Sequence, residues 1–418
     1  MTNLVSAEHY QLLGELASGG MATVFLGRRR SRRSRQELVA IKSMRQELAE
    51  DEAFATMFLD EATLTSRIKH PNVVQTLDVA SEGGKLLIVM EYVEGISLSR
   101  LLELLMQARG SIPPRIVVAI VCDLLRGLHA AHELVDGSNR PLFVVHRDVS
   151  PQNVIVGTDG VARILDFGVA KASSQRHVTM RGEIKGKLAY MPPEQALGEM
   201  VDRRSDVYAA GVVLWETLVG RRLFDARSEE ELVRQIFDAQ IDPPSLVADE
   251  PIPSAVDRVC LRALTHAREG RWSTAEEMAD ALAAALSPAH REDVSAFVRR
   301  TAAADLHERA RHVQDLEQNA GALDAETQTL QHILTGRAER TARGVPSAPP
   351  PPTSRRPTTA EHVRMPAATP RRESSRSTQR REARRKRRRM RLVLGFVTGI
   401  LVILVLMLAA LILGRHAS

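Results

Sequence analysis

The sequence predicts an α+β protein of two lobes, a small strand-rich one followed by a larger helical one. Residues 10–95 run in short, alternating apolar and polar stretches separated by turns, with one helical stretch over Asp51–Lys69. Residues 96–285 change to helical spacing, as in Pro114–Leu134, Asp206–Leu218 and Thr274–Leu286. At 418 residues the chain has room for about two domains and for one sizeable core.

Charge is divided along the chain rather than spread over it. Between Arg340 and Arg391, 17 Arg or Lys face 3 acidic residues, a net of +14; with Arg415 set aside, residues 1–339 carry −9. No nucleic-acid partner is expected for a folded part of that sign, and any polyanion meets the tail. The two cysteines, Cys122 and Cys260, sit inside apolar runs without metal-ligand spacing and read as core thiols in a reducing compartment. The opening MTNLVSAEHY lacks the charged and apolar regions of a signal peptide.

Past residue 285 the composition changes in steps. Residues 286–335 stay polar and helix-prone, a helical extension packed on the main domain or projecting from it. Residues 336–379 are rich in Pro, Arg and Ser, with eight prolines between Pro346 and Pro370, too polar to bury a core. That composition predicts a disordered linker. A basic segment follows over 380–391 (RREARRKRRRMR), then 22 residues without a charge, Leu392–Leu413, of which 17 are Leu, Ile, Val, Phe or Met. A helix of that length spans about 33 Å, close to the thickness of a bilayer core. The positive flank predicts a single-pass inner-membrane anchor with the main domain cytoplasmic and residues 414–418 outside. The basic segment is expected to meet anionic lipid. Gly395 and Gly399 form a GxxxG, a packing surface that pairs helices into homodimers in some anchors, although glycine is common in membrane helices without that role.

Chemistry-bearing motifs follow one another within the first 285 residues. LASGGMATVFLG, Leu16–Gly27, is a glycine-containing turn between strands, open enough for backbone N–H groups to approach phosphate oxygens; alone it reads better as an ordinary hairpin turn. VAIK ends in Lys42, and Glu61 follows 19 residues later on the predicted helix, a cation for phosphates and a carboxylate to hold it. LLIVMEYVEG, Leu86–Gly95, is an apolar strand whose edge offers backbone groups to a flat base. VVHRDVSPQN places Asp148 five residues before Asn153, ILDFGVAK places Asp166 18 residues after Asp148, and YMPPEQ, SDVYAAGVVLWE and EGRWS complete the series.

In that order and spacing the set resembles the protein kinase family, specifically bacterial serine/threonine kinases of the eukaryotic-like type. The HRDVSPQN and YMPPEQ wording is most similar to kinases from high-GC, myxobacterial-type genomes. The resemblance implies the bilobal kinase fold over 10–285, with an N-lobe at 10–95 and a C-lobe at 96–285. It implies ATP with Mg²⁺, or Mn²⁺ in its place, and protein substrates. Leu16, Ala17, Ser18, Gly19, Gly20, Met21, Ala22 and Val24 would roof the nucleotide; Ala40, Met90 as gatekeeper, Glu91 and Val93 would wall the base. Lys42 would hold the α- and β-phosphates with Glu61 as its partner. Asp148 would accept the substrate hydroxyl proton, and Asn153 and Asp166 would hold the metal. Glu194 with Arg271 would form a buried ion pair, and Asp206 would brace the HRD backbone.

Two positions depart from the family pattern. Ser150 stands where such loops carry Lys, and Lys187, in GKLAY, stands where they carry Thr. We read these as a swap in which Lys187 supplies the catalytic cation and Ser150 the hydrogen bond. Arg147 would pair with a phosphate on Thr179, with Ser173 and Ser174 as the other acceptors, the alternative being a loop active without modification; the run Arg28–Arg35 reads as a solvated hairpin tip rather than a docking site for anionic lipid or protein. The expected activity is phosphoryl transfer from ATP to protein Ser or Thr in signal transduction, with autophosphorylation. The rival is a pseudokinase, a weak or dead nucleotide-binding scaffold tethered to the membrane. Ala17, Ala22 and Ser150 favour that rival; the set Lys42, Glu61, Asp148, Asn153 and Asp166 opposes it.

Overall fold

The computed structural model describes residues 5–6, 9–19, 22–29, 37–44, 52–82, 85–167, 188–238 and 240–319. Several expectations lie outside the described residues: Gly20, Met21, Arg30–Arg35, Gly168, Ser173, Ser174, Thr179, Lys187, and everything from 320 onward, including the linker, the basic segment and the span 392–413. Among the described residues, no helix is long and apolar enough to cross a membrane.

The small lobe is a six-stranded sheet in the order β1-β5-β6-β4-β3-β2, built from β1 (Val5–Ser6), β2 (Tyr10–Ser18), β3 (Ala22–Arg29), β4 (Leu38–Met44), β5 (Thr76–Glu82) and β6 (Lys85–Glu91). Neighbours run antiparallel except β1, which pairs parallel with β5. The two-residue period of β4 decides its faces: Val39 and Ile41 are buried with Tyr10, Ala80, Leu87 and Val89, which turns Ala40 and Lys42 to the other side. Helix α1 (Glu52–Thr65) packs on that other side through Phe58 and Ala62, against Val79, Ile88 and Met90. Both faces of β6 are therefore covered, which explains its unbroken LLIVM run. Each such buried side chain contributes about 1.5–3 kcal/mol.

Helix α1 ends at Thr65, four residues short of the expected Lys69. The turn tightens there, with Arg67 N–H bonded to the Leu64 carbonyl and Ile68 N–H to that of Thr65, ahead of Pro71. A residue preceding proline disfavours helix, so the chain leaves the helix before the His70-Pro71 pair.

Strand β7 (Gly95–Ser97) opens the large lobe and pairs with β8 (Val154–Gly157), which pairs with β9 (Ala162–Ile164). Only glycine fits at 95, because a Cβ there would meet the Val156 carbonyl oxygen at 2.5 Å. The helices are α2 (Leu98–Ala108), α3 (Pro114–His132), α4 (Pro193–Ala196), α5 (Arg203–Val219), α6 (Glu229–Asp238), α7 (Pro244–Val247), α8 (Ser254–Ala263), α9 (Ala275–Ala285), α10 (Arg291–Thr301) and α11, helical from 303 to 319. Helix α5 is buried from Ser205 to Leu218 on every side and forms the axis of the lobe. It starts three residues before the expected Asp206, because Asp202 caps it by accepting from Arg204 N–H at 2.8 Å. Gly220, at φ 76°, ends it. Cys122 and Cys260 are buried free thiols, as expected; burial pushes the Cys122 thiol up to about 12 and raises that of Cys260.

The lobes are joined by more than the linker at Tyr92–Glu94. Val74 N–H donates to the Ile164 carbonyl and Ile164 N–H to that of Asn72, at 3.0 and 2.9 Å. The Asn72 amide also donates to the Ala162 carbonyl at 3.0 Å.

Candidate active site at the lobe junction

The roof of the cleft is the β2–β3 hairpin, with Ala17 opposite Val24 and Ser18 opposite Thr23. Gly19 N–H closes the turn on the Ala22 carbonyl at 3.0 Å. Leu16 and Val24 are half-buried, while Ala17, Ser18 and Gly19 are exposed. Partly buried Ala40 and Val93 join Ile155 and Leu165 in one apolar group drawn from both lobes, an apolar surface of the kind a flat base packs against. Buried Met90 belongs to the same group and also lines the small cavity beside Glu61. Glu91 is pinned to Gln75 twice, its carboxylate accepting from Gln75 N–H at 2.9 Å and its own N–H donating to the Gln75 carbonyl at 3.0 Å. That pinning fixes where the linker, and so Val93, begins.

Lys42 Nζ lies 2.8 Å from Asp166 Oδ1 and 3.4 Å from Glu61 Oε1. Burial of Lys42 works against its charge, but the Asp166 and then the Glu61 carboxylates outweigh it and hold the ammonium well above the ordinary lysine range. Glu61 is itself tied to the sheet. Thr65 Oγ1 donates to the Glu61 carbonyl at 2.9 Å, so the 2.9 Å contact between Thr65 and Thr76 has Thr76 as the donor. Both hydroxyls are buried. They share a cavity of about 10 Å³ with Glu61, Met90, Asp166 and Phe167, room for about one water molecule.

Below the cleft, Asp206 organises the catalytic loop. Its carboxylate accepts from His146 N–H at 2.7 Å, from Arg147 N–H at 2.9 Å and from His132 Nε2 at 2.7 Å. Burial opposes ionisation, but the His132 hydrogen bond and charge, with the His146 amide, hold the Asp206 carboxyl below the usual range. Arg147 sits at φ 63° and Asp166 at φ 48°, left-handed conformations that cost a non-glycine residue about 1–3 kcal/mol. The bond from Arg147 N–H to Asp206 helps hold the first of them in place.

The His146 ring has one tautomer open to it. Asp148 N–H can only donate, so Nδ1 accepts from it at 3.2 Å; the Leu165 carbonyl can only accept, so Nε2 carries the proton, at 3.0 Å. Full burial depresses the imidazole below its ordinary value, which keeps it neutral for these roles. Phe167 packs on the ring at a centroid distance of 4.7 Å. His146 thus couples Asp148 to the segment bearing Asp166.

The Asn153 amide donates to the Asp148 backbone carbonyl at 2.7 Å and to Asp148 Oδ2 at 3.0 Å. With its nitrogen so engaged, the amide oxygen of Asn153 is left as a ligand atom, and the Asp166 side chain is 42% exposed. One amide oxygen and one carboxylate are hard donors suited to Mg²⁺ or Mn²⁺, which complete their shell with phosphate oxygens and water. Among the described residues no cluster of three or more His, Cys, Asp or Glu side chains could hold a metal by itself.

Ser150 is 3% exposed, and its hydroxyl, the one hydroxyl in HRDVSPQN, has no hydrogen-bond partner among the described residues. A buried hydroxyl without a partner costs about 1–3 kcal/mol.

Further from the cleft, Arg271, 1% exposed, donates to both Glu194 oxygens at 2.7 and 2.9 Å, and to the carbonyls of Thr265, His266 and Arg204. Ser205 adds a donor to Glu194 at 2.7 Å. The ion pair expected from the motifs is thus in place and fully satisfied. Sequence reasoning missed His132, the Thr65–Thr76 pair, and the floor residues Ile155 and Leu165. His132 and the two threonines carried no spacing signal, since their partners are 74 and 11 residues away and only the fold joins them.

Comparison with known proteins places this geometry. The description "Protein kinase domain" matches residues 10–315. A tyrosine-protein kinase, MasK, of Myxococcus xanthus is 38% identical over 278 residues, covering 66% of this chain and 43% of that protein. The serine/threonine-protein kinase PrkC of Bacillus subtilis is 33% identical over 275 residues (64% and 39%), and the serine/threonine-protein kinase PknB of Mycobacterium tuberculosis is 34% identical over 278 (65% and 42%). The chain therefore spans less than half the length of these relatives. Among solved structures, the PknI kinase domain of Mycobacterium tuberculosis aligns with a TM-score of 0.50 at 26% identity, covering 68% of this chain and 98% of that one. Because the family match takes in both lobes and well over half the chain, the chain belongs to the protein kinase family, beside bacterial kinases of the eukaryotic-like type.

Proposed function

We propose that the chain is an active kinase that transfers the γ-phosphoryl group of ATP to Ser or Thr hydroxyls of proteins. The observation that carries this reading is the assembled pair of centres. Lys42 is ion-paired with Glu61 and Asp166, and Asp148 is locked to Asn153 and to the His146 ring. In the reaction, Lys42 would bind the α- and β-phosphates, while Asp148 would orient the attacking hydroxyl and accept its proton. Asn153 and Asp166 would hold Mg²⁺, which, when bound, offsets charge on the phosphate oxygens. The closed hydrogen-bond set around Asp148 means that little rearrangement is needed before transfer.

Ser150 removes a cation from the loop. We assign its replacement to Lys187, with the orphan Ser150 hydroxyl as the matching hydrogen-bonding group. Lys187→Met is expected to lose about 10²–10³-fold in rate, the scale of one oriented transition-state contact. Full activity in that variant would refute the swap. The same loop favours a second reading, in which the chain binds nucleotide as a weak or dead scaffold; an undiminished nucleotide affinity without transfer would select it.

Choice of hydroxyl is set by the same two positions. A tyrosine-protein kinase and serine/threonine-protein kinases stand together among the relatives. Phosphoamino-acid analysis of the labelled chain and of a general protein substrate decides between them, with phosphoserine or phosphothreonine expected; phosphotyrosine alone would overturn the assignment. The cell membrane is the proposed location, through residues 392–413 and the basic segment before them. Signal transduction and autophosphorylation, helped by pairing of anchors, are the proposed context.

A further inference from the structure

Helices α10 and α11 lie beyond the last of the kinase motifs. Helix α10 is fastened to the large lobe by buried Val294, Phe297 and Val298, and by Ser295 and Arg299, which both donate to the Thr158 carbonyl, at 2.6 and 3.2 Å. Helix α11 then leaves the large lobe. Asp305 accepts from Arg100 Nε on α2 at 2.8 Å, and Arg309 donates to the carbonyl of Gly95, where the inter-lobe linker ends, at 3.1 Å. The His312 ring Nε2 donates to the Glu15 carbonyl on β2 at 2.9 Å. Leu316 occupies the space that any side chain at Gly14 would need. Glu317 accepts from Arg28 on β3 at 2.8 Å.

Positions 305, 309, 312 and 316 fall on one helix face, with Glu317 beside it, and from 305 to 317 the axis advances about 18 Å. That face runs from the large lobe, past the linker, to the outside of the β2–β3 hairpin. Glu15 immediately precedes Leu16 and Ala17, the roof of the nucleotide cleft. Gly14 lies at one of two register shifts in β2, and its lack of a side chain admits Leu316.

We propose that α11 is a positioning strap, holding the ATP-binding lobe at its working distance from the large lobe. Arg309, His312, Leu316 and Glu317 then act on nucleotide affinity through the backbone of Gly95 and the β2–β3 hairpin, without touching the nucleotide. In the chain, α11 immediately precedes residues 320–418. The nucleotide readout rests on the kinase reading above; the strap contact itself does not.

The test uses the full-length chain. Gly14→Val, which collides with Leu316, is expected to raise the Kd and KM for Mg·ATP about three- to ten-fold with kcat within about two-fold, and Leu316→Ala in the same chain is expected to recover most of that loss. Arg28→Glu and Glu317→Arg are each expected to raise Kd up to about five-fold, and the double reversal to restore it, the scale of a half-exposed ion pair. Amide hydrogen exchange over residues 10–18 and 22–29 is expected to quicken in the single variants and recover in the compensated ones. An unchanged Kd and exchange in Gly14→Val, or a double reversal no better than either single change, would overturn the strap. If the parent chain binds no nucleotide, the kinase reading fails, and the exchange measurements alone decide the strap.

Discussion

His146 shows how much a single ring decides. Buried and neutral, it accepts from the Asp148 amide and donates to Leu165, so a protonated ring loses the first bond and meets the field of a sealed core. Its folded pKa is depressed, so below the ordinary histidine value near 6.5 the unfolded chain takes up a proton that the folded chain refuses. Stability attributable to His146 is therefore present above about pH 6.5 and falls as pH drops, by up to about 1.4 kcal/mol per unit. Thermal unfolding of the parent and His146→Phe between pH 7 and 5 checks this: the parent should lose stability more steeply, and parallel curves would contradict it. Arg271 is the second decisive residue. Arg271→Met leaves Glu194 buried without its partner and is expected to cost about 3–5 kcal/mol, readable as a lowered denaturant midpoint. The motifs made Lys42, Glu61, Asp148, Asn153 and Asp166 legible in the sequence, because each role fixes a residue type at a fixed spacing. His132 was not legible: on the page it is one more polar residue at the end of α3, and only the approach of α5 gives it Asp206.

At the scale of elements, α1 and α5 show opposite dependence on sequence. Helix α5 was readable to within a turn from the SDVYAAGVVLWE run, and the cap at Asp202 accounts for the remaining offset. The end of α1 was not, because its helical spacing continues to Lys69 while Pro71 and the turn before it end the helix early. Helix α1 matters more to the chemistry, since it carries Glu61. Its grip on β5 runs through Thr65 and Thr76, a polar contact within a mostly apolar cluster. Thr76→Val removes one donor and is expected to lower stability by about 0.5–1.5 kcal/mol. Thr65→Val, which also strips the bond to the Glu61 carbonyl, should cost more and raise the KM for ATP. Equal effects of the two substitutions would mean that the pair does not latch the helix.

For the whole molecule, the division of charge noted in the sequence matches the division between the described lobes and the residues that follow them in the chain. The described lobes belong to the part carrying −9, while the +14 segment and the apolar run 392–413 follow α11 in the chain. An acidic body on a basic, apolar tail is the arrangement a membrane surface would sort. The full chain is expected to stay with membranes through alkaline carbonate extraction and the chain lacking 392–413 to be released; release of both would remove the anchor from the account. The step from a strand-rich unit to helices was legible from the change of period near residue 95, and the bilobal fold and its active-site loops from the motifs and the resemblance they carry. The course of α11 was not, because its contacts pair residues up to 297 positions apart and its polar sequence announces no partner.

The central claim is phosphoryl transfer by the centre at Asp148, and it is tested most directly by incubating the chain and its Asp148→Asn variant with Mg²⁺ and γ-labelled ATP, then counting label in protein. The account predicts label with the parent chain and a loss of at least about 10³-fold in the variant, in which the base is gone while the Lys42 ion pairs remain. Equal labelling by the two, or none by the parent while it still binds nucleotide, would contradict it.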